Sequence, residues 1–169
     1  MRKTLLLPLV LLSTPLMAAE MQVSVEIPRL NVAEYHRPYV AIWLEQADQS
    51  HVADLAVWYD LKLKDKEGEK WLKDLRQWWR RSGRSLELPV DGVSSATRAV
   101  GNHTLTFDSS KAPLNDLPAG EYRLVVEAAR EVGGRELLRV PFSWPASTEQ
   151  TNTAQGESEL GAISLTLKP

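Results

Sequence analysis

Apolar and polar residues alternate along most of this chain. Val23, Val25 and Ile27 recur at every second position, as do Val40, Ile42 and Leu44, and then Leu55, Val57, Tyr59 and Leu61. The second half repeats the pattern in Leu105 and Phe107, in Tyr122, Leu124, Val126 and Ala128, in Leu138, Val140, Phe142 and Trp144, and in Ile163, Leu165 and Leu167. A period of two puts one row of side chains on each face of a strand, so each run reads as a strand with one buried face. About seven strands with turn residues between them predict a mainly β fold, an antiparallel immunoglobulin-like β-sandwich. The turn residues are Lys66-Glu67-Gly68, Leu117-Pro118-Ala119-Gly120 and Val132-Gly133-Gly134, and the Gly133-Gly134 pair marks the clearest hairpin. Residues 145–156, rich in Ser, Thr, Gln and Asn, read as a polar loop before the last strand.

Residues 69–82 follow a different period. Trp71, Leu72, Leu75, Trp78 and Trp79 recur at spacings of three and four, which predicts one amphipathic helix inserted into the sandwich and stopped at Ser82-Gly83. Its aromatic side is expected to cap one end of the sandwich. Its other side carries Lys70, Lys73, Arg76, Arg80 and Arg81, opposed only by Asp74. That basic face, with Arg76, Arg80 and Arg81 at its centre, suits an anionic partner.

The N-terminus reads as an export signal. Arg2 and Lys3 precede an apolar run from Leu5 to Leu12, and small residues follow up to Ala18-Ala19. The run is shorter than the roughly 20 residues a spanning helix needs, so residues 1–19 are expected to be a cleaved secretory signal peptide and 20–169 a single exported, periplasmic domain not embedded in the membrane. The chain has no cysteine, which excludes disulfides, thiolate metal sites and cysteine nucleophiles. A net charge of −2 argues against nucleic-acid binding, which needs a basic surface. The charge is uneven, however, since residues 62–84 hold nine basic and four acidic side chains and the remainder is acidic.

The segment with most chemical content is Asp91-Gly92-Val93-Ser94-Ser95-Ala96-Thr97. It resembles the flavinylation sequence of exported flavoproteins, in which Asp, two variable residues, Ser or Thr, usually Gly, then Ala-Thr are read by FAD:protein FMN transferase; here Ser95 stands at the usual Gly. The resemblance implies FMN held as a phosphoester on Thr97, with Asp91, Ser94, Ser95 and Ala96 as the recognised neighbours and Arg98 placed to offset the phosphate. An acceptor hydroxyl must enter a second enzyme's active site, which calls for an exposed loop with small neighbours. A phosphoester also retains one flavin per protein outside the cytoplasm, where free FMN would diffuse away, and a tryptophan is expected to stack on the ring.

A second resemblance covers nearly the whole exported chain. The strings Pro38-Tyr39-Val40-Ala41-Ile42-Trp43, Trp78-Trp79 with 91–97, Gly120-Glu121-Tyr122, Glu127 to Glu136 and Glu159-Leu160-Gly161 resemble the predicted periplasmic family catalogued as domain of unknown function 2271. It implies a redox accessory working beside inner-membrane PepSY-type reductases and FMN transferases in iron or metal acquisition. The expected function is therefore a flavin-bearing electron carrier more than an independent enzyme. The alternative is a non-catalytic binding or adaptor sandwich for a metal complex or a partner protein.

Other polar groups carry weaker signals. His36, His51 and His103 show no metal-ligand spacing, so no metal site is expected unless the fold gathers two of them with Asp54 or Glu34. Glu127, Glu131 and Arg135 are spaced for cross-strand ion pairs. No Gly-x-Ser-x-Gly elbow supports a hydrolase.

Overall fold

The structure is a computed structural model that describes residues 18–169. Nearly all of the expected signal peptide, 1–19, lies outside that range. Nine strands form two sheets, two more strands than the alternation predicts. The first sheet has the order β5-β1-β9-β8 and the second β4-β3-β2-β6-β7. They comprise β1 (Glu20–Ile27), β2 (Tyr39–Gln46), β3 (His51–Tyr59), β4 (Ser94–Ala96), β5 (Gly101–Asp108), β6 (Gly120–Ala129), β7 (Arg135–Trp144), β8 (Gln150–Gln155) and β9 (Ala162–Lys168). Every pairing is antiparallel except β3 with β4.

The alternating rows meet between the sheets. Val23, Val25 and Ile27 of β1 and Ile163, Leu165 and Leu167 of β9 face Val40, Ile42 and Leu44 of β2 and Leu124, Val126 and Ala128 of β6 in one buried core. Burying apolar surface along these rows, at about 25 cal/mol per Å² removed from water, supplies the main drive for folding.

The two strands that alternation does not reveal are both polar edge strands. β8 occupies half of the stretch expected to be a loop, and its side chains alternate half-buried and exposed. No long apolar row betrays it, because its half-buried positions are the polar Gln150 and Asn152 and the small Ala154; Asn152 Nδ2 donates to the Pro141 carbonyl at 2.9 Å, and on the exposed side the Thr151 and Thr166 hydroxyls meet at 2.9 Å. β4 is three small residues running parallel to β3, with Ser94 opposite Val57. It is too short to show any period.

The basic segment is helical, but it is not one helix and not an end cap. It contains α1 (Glu67–Lys70) and α2 (Arg76–Arg81) with single 3-10 turns before, between and after them. Leu72, Leu75 and Trp78 recur at three, the spacing of the 3-10 turn that joins the pieces. All three are fully buried against Ala41, Trp43, Val57, Tyr59 and Val125 on the outer face of the second sheet. That sheet is thus covered on both faces, which is why β2 is buried at every position from Val40 to Glu45.

The break between the pieces has a cause in β6. Leu75 has φ −75° and ψ 70°, so the helix restarts at Arg76 and its first N–H groups need partners. The wholly buried Glu127 carboxylate accepts the Gln77 N–H at 3.0 Å and the Trp78 N–H at 2.8 Å. Arg135 Nε donates to the same carboxylate at 2.6 Å, so the expected cross-strand pair forms, as a buried helix anchor. Glu131, by contrast, turns toward His36.

Candidate functional site

The turn leading into β4 is built by Gly92 and Ser94. Gly92 has φ 71°, a left-handed value that glycine adopts without strain, and the N–H groups of Val93 and Ser94 both donate to the Val90 carbonyl. The Ser94 hydroxyl closes the turn by accepting the Val90 N–H at 2.9 Å. Asp91 and Gly92 stand exposed at its tip, as expected. The Val57 N–H then bonds to the Val93 carbonyl, and the chain enters β4 along the edge of the sheet.

The acceptor position is thus not on an extended loop, and Thr97 follows directly on the end of an edge strand. Ser95 Oγ lies 3.4 Å from Arg98 Nη2, and the Arg98 guanidinium sits 5.2 Å from the Trp58 ring centroid. A cation over a tryptophan face is held by the ring quadrupole. Arg98 is therefore engaged with β3 and does not line the cleft that Thr97 lines. Among the described residues no hydrogen bond engages the Thr97 hydroxyl, whereas those of Ser94 and Ser95 are both in use.

Ala96 and Thr97 line a cleft of about 710 Å³, within the size range of small-molecule sites. It lies at the end of the second sheet where β2 begins and β3, β4 and β6 finish. Tyr35, His36 and Arg37 come from the β1–β2 connection and Tyr39 from the start of β2, Asp60 to Leu63 from just beyond β3, Trp71 and Asp74 from the insertion, and Arg130 to Val132 from the β6–β7 hairpin. Five of the seven large apolar side chains exposed among the described residues, namely Tyr35, Leu61, Leu63, Trp71 and Val132, are gathered here. Scattered singly they would need no explanation, but clustered around a cleft they mark a binding surface. Tyr39 keeps its phenolic proton, because burial raises its pKa and the Asp60 and Glu131 carboxylates add to that effect.

The hairpin at the cleft is held by two reciprocal clasps. Arg130 donates from Nε and Nη2 to Glu159 at 2.8 and 3.1 Å, and the Gly134 N–H donates to the same carboxylate at 2.8 Å. Glu136 in turn accepts the N–H groups of Glu157, Ser158 and Leu160. The strings 127–136 and 159–161, singled out in the sequence, therefore bind each other. The Arg130 and Glu159 side chains are only 6% and 4% exposed, and Arg130 Nη1 is buried with no hydrogen-bond partner. The hairpin forms where Gly133-Gly134 marks it, although neither glycine has the left-handed backbone. Val132 does, at φ 52° and 77% exposed, while the glycines make room for the Arg130 guanidinium and the Glu159 carboxylate. A β-branched residue in that region is strained, and such strain concentrates at working sites.

The tryptophans divide in the same way. Trp43, Trp58 and Trp78 are fully buried and Trp144 is 5% exposed, whereas Trp71 is 49% exposed and lines the cleft. A continuous helix would have put Trp71 on the buried face; the break after α1 turns it outward.

The histidines do not meet. His36 Nε2 bonds to Glu34 at 2.9 Å, His51 Nε2 lies 3.0 Å from Asp54, and His103 packs edge-on to Trp58. Among the described residues no three His, Asp or Glu side chains are placed to hold a metal. Ser82, Asp54 and His51 do lie together, but in the wrong order for a hydrolase. Asp54 stands between the other two, bonded to the Ser82 hydroxyl and to Trp78 Nε1, so His51 cannot take the serine proton. This cluster pins the end of α2 to β3.

Arg76, Arg80 and Arg81 are all exposed and form no salt bridge among the described residues; Arg80 only bonds Gln77 Oε1 and the Arg76 carbonyl. The insertion that carries them also gives Trp71 and Asp74 to the cleft.

The model of a known family, "Predicted periplasmic protein (DUF2271)", matches residues 20–162. The chain belongs to this family. No curated protein and no solved structure matches it. The DUF2271 match runs from β1 to the first residue of β9 and so takes in the 91–97 segment, the insertion and both clasps around the cleft. The family is described as periplasmic, in keeping with the exported domain expected from the sequence. No helix among the described residues is long and apolar enough to cross a membrane.

Proposed function

We propose that this DUF2271 protein is an exported redox accessory that carries FMN covalently on Thr97 and relays electrons from an inner-membrane PepSY-type reductase, in iron or metal acquisition. The observation that carries this reading is the position of Thr97: the residue lines the cleft, and no hydrogen bond among the described residues engages its hydroxyl. The residues present fit the group. The cleft offers aromatic side chains from Tyr35, Tyr39 and Trp71, and exposed cations from Arg37 and Lys62.

Attachment would be performed by FAD:protein FMN transferase. The Thr97 oxygen forms a bond to the FMN phosphorus of FAD, the pyrophosphate bond breaks, AMP leaves, and the hydroxyl proton passes to the transferase. FMN then supplies electron transfer in one- or two-electron steps. The chain's own part is to present and hold. Gly92 and Ser94 shape the turn, the three-residue β4 is a short edge that can yield to the transferase, and the exposed Arg37 and Lys62 lend the cleft positive charge. Arg98, held over Trp58, stiffens the chain just beyond the acceptor.

Thr97→Ala is expected to remove covalent flavin, while Thr97→Ser, which keeps the hydroxyl, retains it. Flavin absorbance of the denatured, desalted protein reads both. A Thr97→Ala protein with wild-type flavin content would reject the assignment.

We also infer an immunoglobulin-like scaffold. The order β7-β6-β2-β3 follows the G-F-C-C′ order of that fold, whereas β4 joins parallel to β3 and two strands, β8 and β9, follow β7. Tyr122, near the start of β6, donates from its hydroxyl to the Pro118 carbonyl at 2.8 Å, which matches the tyrosine corner found before strand F.

A further inference from the structure

We propose that the isoalloxazine ring of the tethered flavin is held in the cleft against Trp71, and that Trp71 faces outward to serve as its platform. The inference rests on the flavin reading above and adds where the ring lies. Three observations converge on it. Thr97 and Trp71, contributed by segments far apart in sequence, line the same cleft, so a group tethered at one is within the space bounded by the other. Trp71 belongs by sequence to an apolar helical face, yet it is 49% exposed while Leu72, Leu75 and Trp78 beside it are fully buried. Leaving that much indole in contact with water is unfavourable unless something flat and apolar covers it, and a stacked ring does so with the best geometry for an aromatic pair.

The surroundings suit a ring with a charged tether better than a protein partner. The cleft is concave and not a flat patch, and the exposed Arg37 and Lys62 among its lining supply cations for the tether's phosphate. Val132, strained and exposed at the hairpin tip, extends the apolar rim.

The test uses the mature protein taken from the periplasm of a host that carries the transferase. Intact mass first establishes whether the flavin is attached. Flavin fluorescence is then compared in the folded protein and in the same protein unfolded in urea, for wild type, Trp71→Ala and Trp71→Phe. Tryptophan quenches stacked flavin by donating an electron, and phenylalanine does not. Wild-type fluorescence is expected to rise severalfold on unfolding. Folded Trp71→Ala and Trp71→Phe are expected to be severalfold brighter than folded wild type, short of their unfolded forms to the extent that Tyr35 and Tyr39 in the same cleft also quench. Visible circular dichroism in the flavin bands separates the two variants, since Phe retains a face for the ring: the signal is present in wild type, kept in Trp71→Phe and diminished in Trp71→Ala. A flavinylated wild type as bright folded as unfolded, with no visible dichroism, would overturn the cleft location and leave the Thr97 assignment standing. Flavinylated variants that match wild type in both signals would overturn the role of Trp71. An unmodified mass would overturn this inference together with the reading it rests on.

Discussion

Arg130 and Glu159 show how single side chains here serve the cleft through the fold. The two are nearly wholly buried and make two hydrogen bonds to each other, and Glu159 also fixes Gly134. Removing one partner leaves the other charged in a low-dielectric setting, so Glu159→Ala is expected to cost about 3–5 kcal/mol, read from urea unfolding. A loss under about 1 kcal/mol would mean that water reaches Arg130 far better than the structure indicates.

Asp54 and Glu136 set the acid limit of stability. Burial opposes the charge on Asp54, but hydrogen bonds from His51, Ser82 and Trp78 outweigh it and hold its pKa below the ordinary value. Glu136 is likewise lowered, with the N–H groups of Glu157, Leu160 and Ser158 outweighing burial. A carboxyl with a depressed folded pKa leaves the unfolded chain binding more protons as pH falls. Its stabilisation is whole above the unfolded pKa and is lost as pH falls through the folded one. The urea midpoint is therefore expected to hold from about pH 7 to about 5 and to drop below about 4. Asp54→Asn is expected to start lower at neutral pH and to fall less steeply; an acid limb identical to wild type would show that Asp54 is not the group responsible.

At the scale of elements, the insertion is the part that sequence read least well. Its apolar residues and basic face were legible, because Leu72, Leu75 and Trp78 keep helical spacing and the cations are exposed. Its break was not, because the cause lies in Glu127, a residue of β6 some 49 positions away from Trp78. β8 and β4 escaped for another reason: strands whose inward positions are polar or small, or whose length is three, leave no periodic trace. Glu127→Ala strips the Gln77 and Trp78 N–H groups of their acceptor and is expected to cost about 2–4 kcal/mol, read by urea unfolding. Unchanged stability would mean that α2 finds another cap. The basic face is expected to act in docking. Neutralising Arg76, Arg80 and Arg81 together should slow reduction by the membrane reductase at low salt, with the difference shrinking as salt is raised. An equal rate at low salt would remove the insertion from the docking surface.

At the scale of the molecule, two sheets and a covering insertion leave one end of the second sheet open, and that opening is the cleft. The strands that build it were visible as period two in Val40, Ile42 and Leu44 and in Leu124, Val126 and Ala128. The cleft itself was not, since it joins residues from five separate segments and depends on Trp71 turning outward. The Thr97 segment stands out in the sequence by its resemblance to a flavinylation sequence, and the fold adds that Thr97 lines this space. The measurement that tests this account most directly is the intact mass of the mature protein purified from the periplasm of a host carrying the transferase. An excess of about 438 Da, the mass FMN adds on forming an ester with loss of water, is the predicted result. An unmodified mass under those conditions would contradict it and leave the cleft as the binding site of a non-covalent ligand.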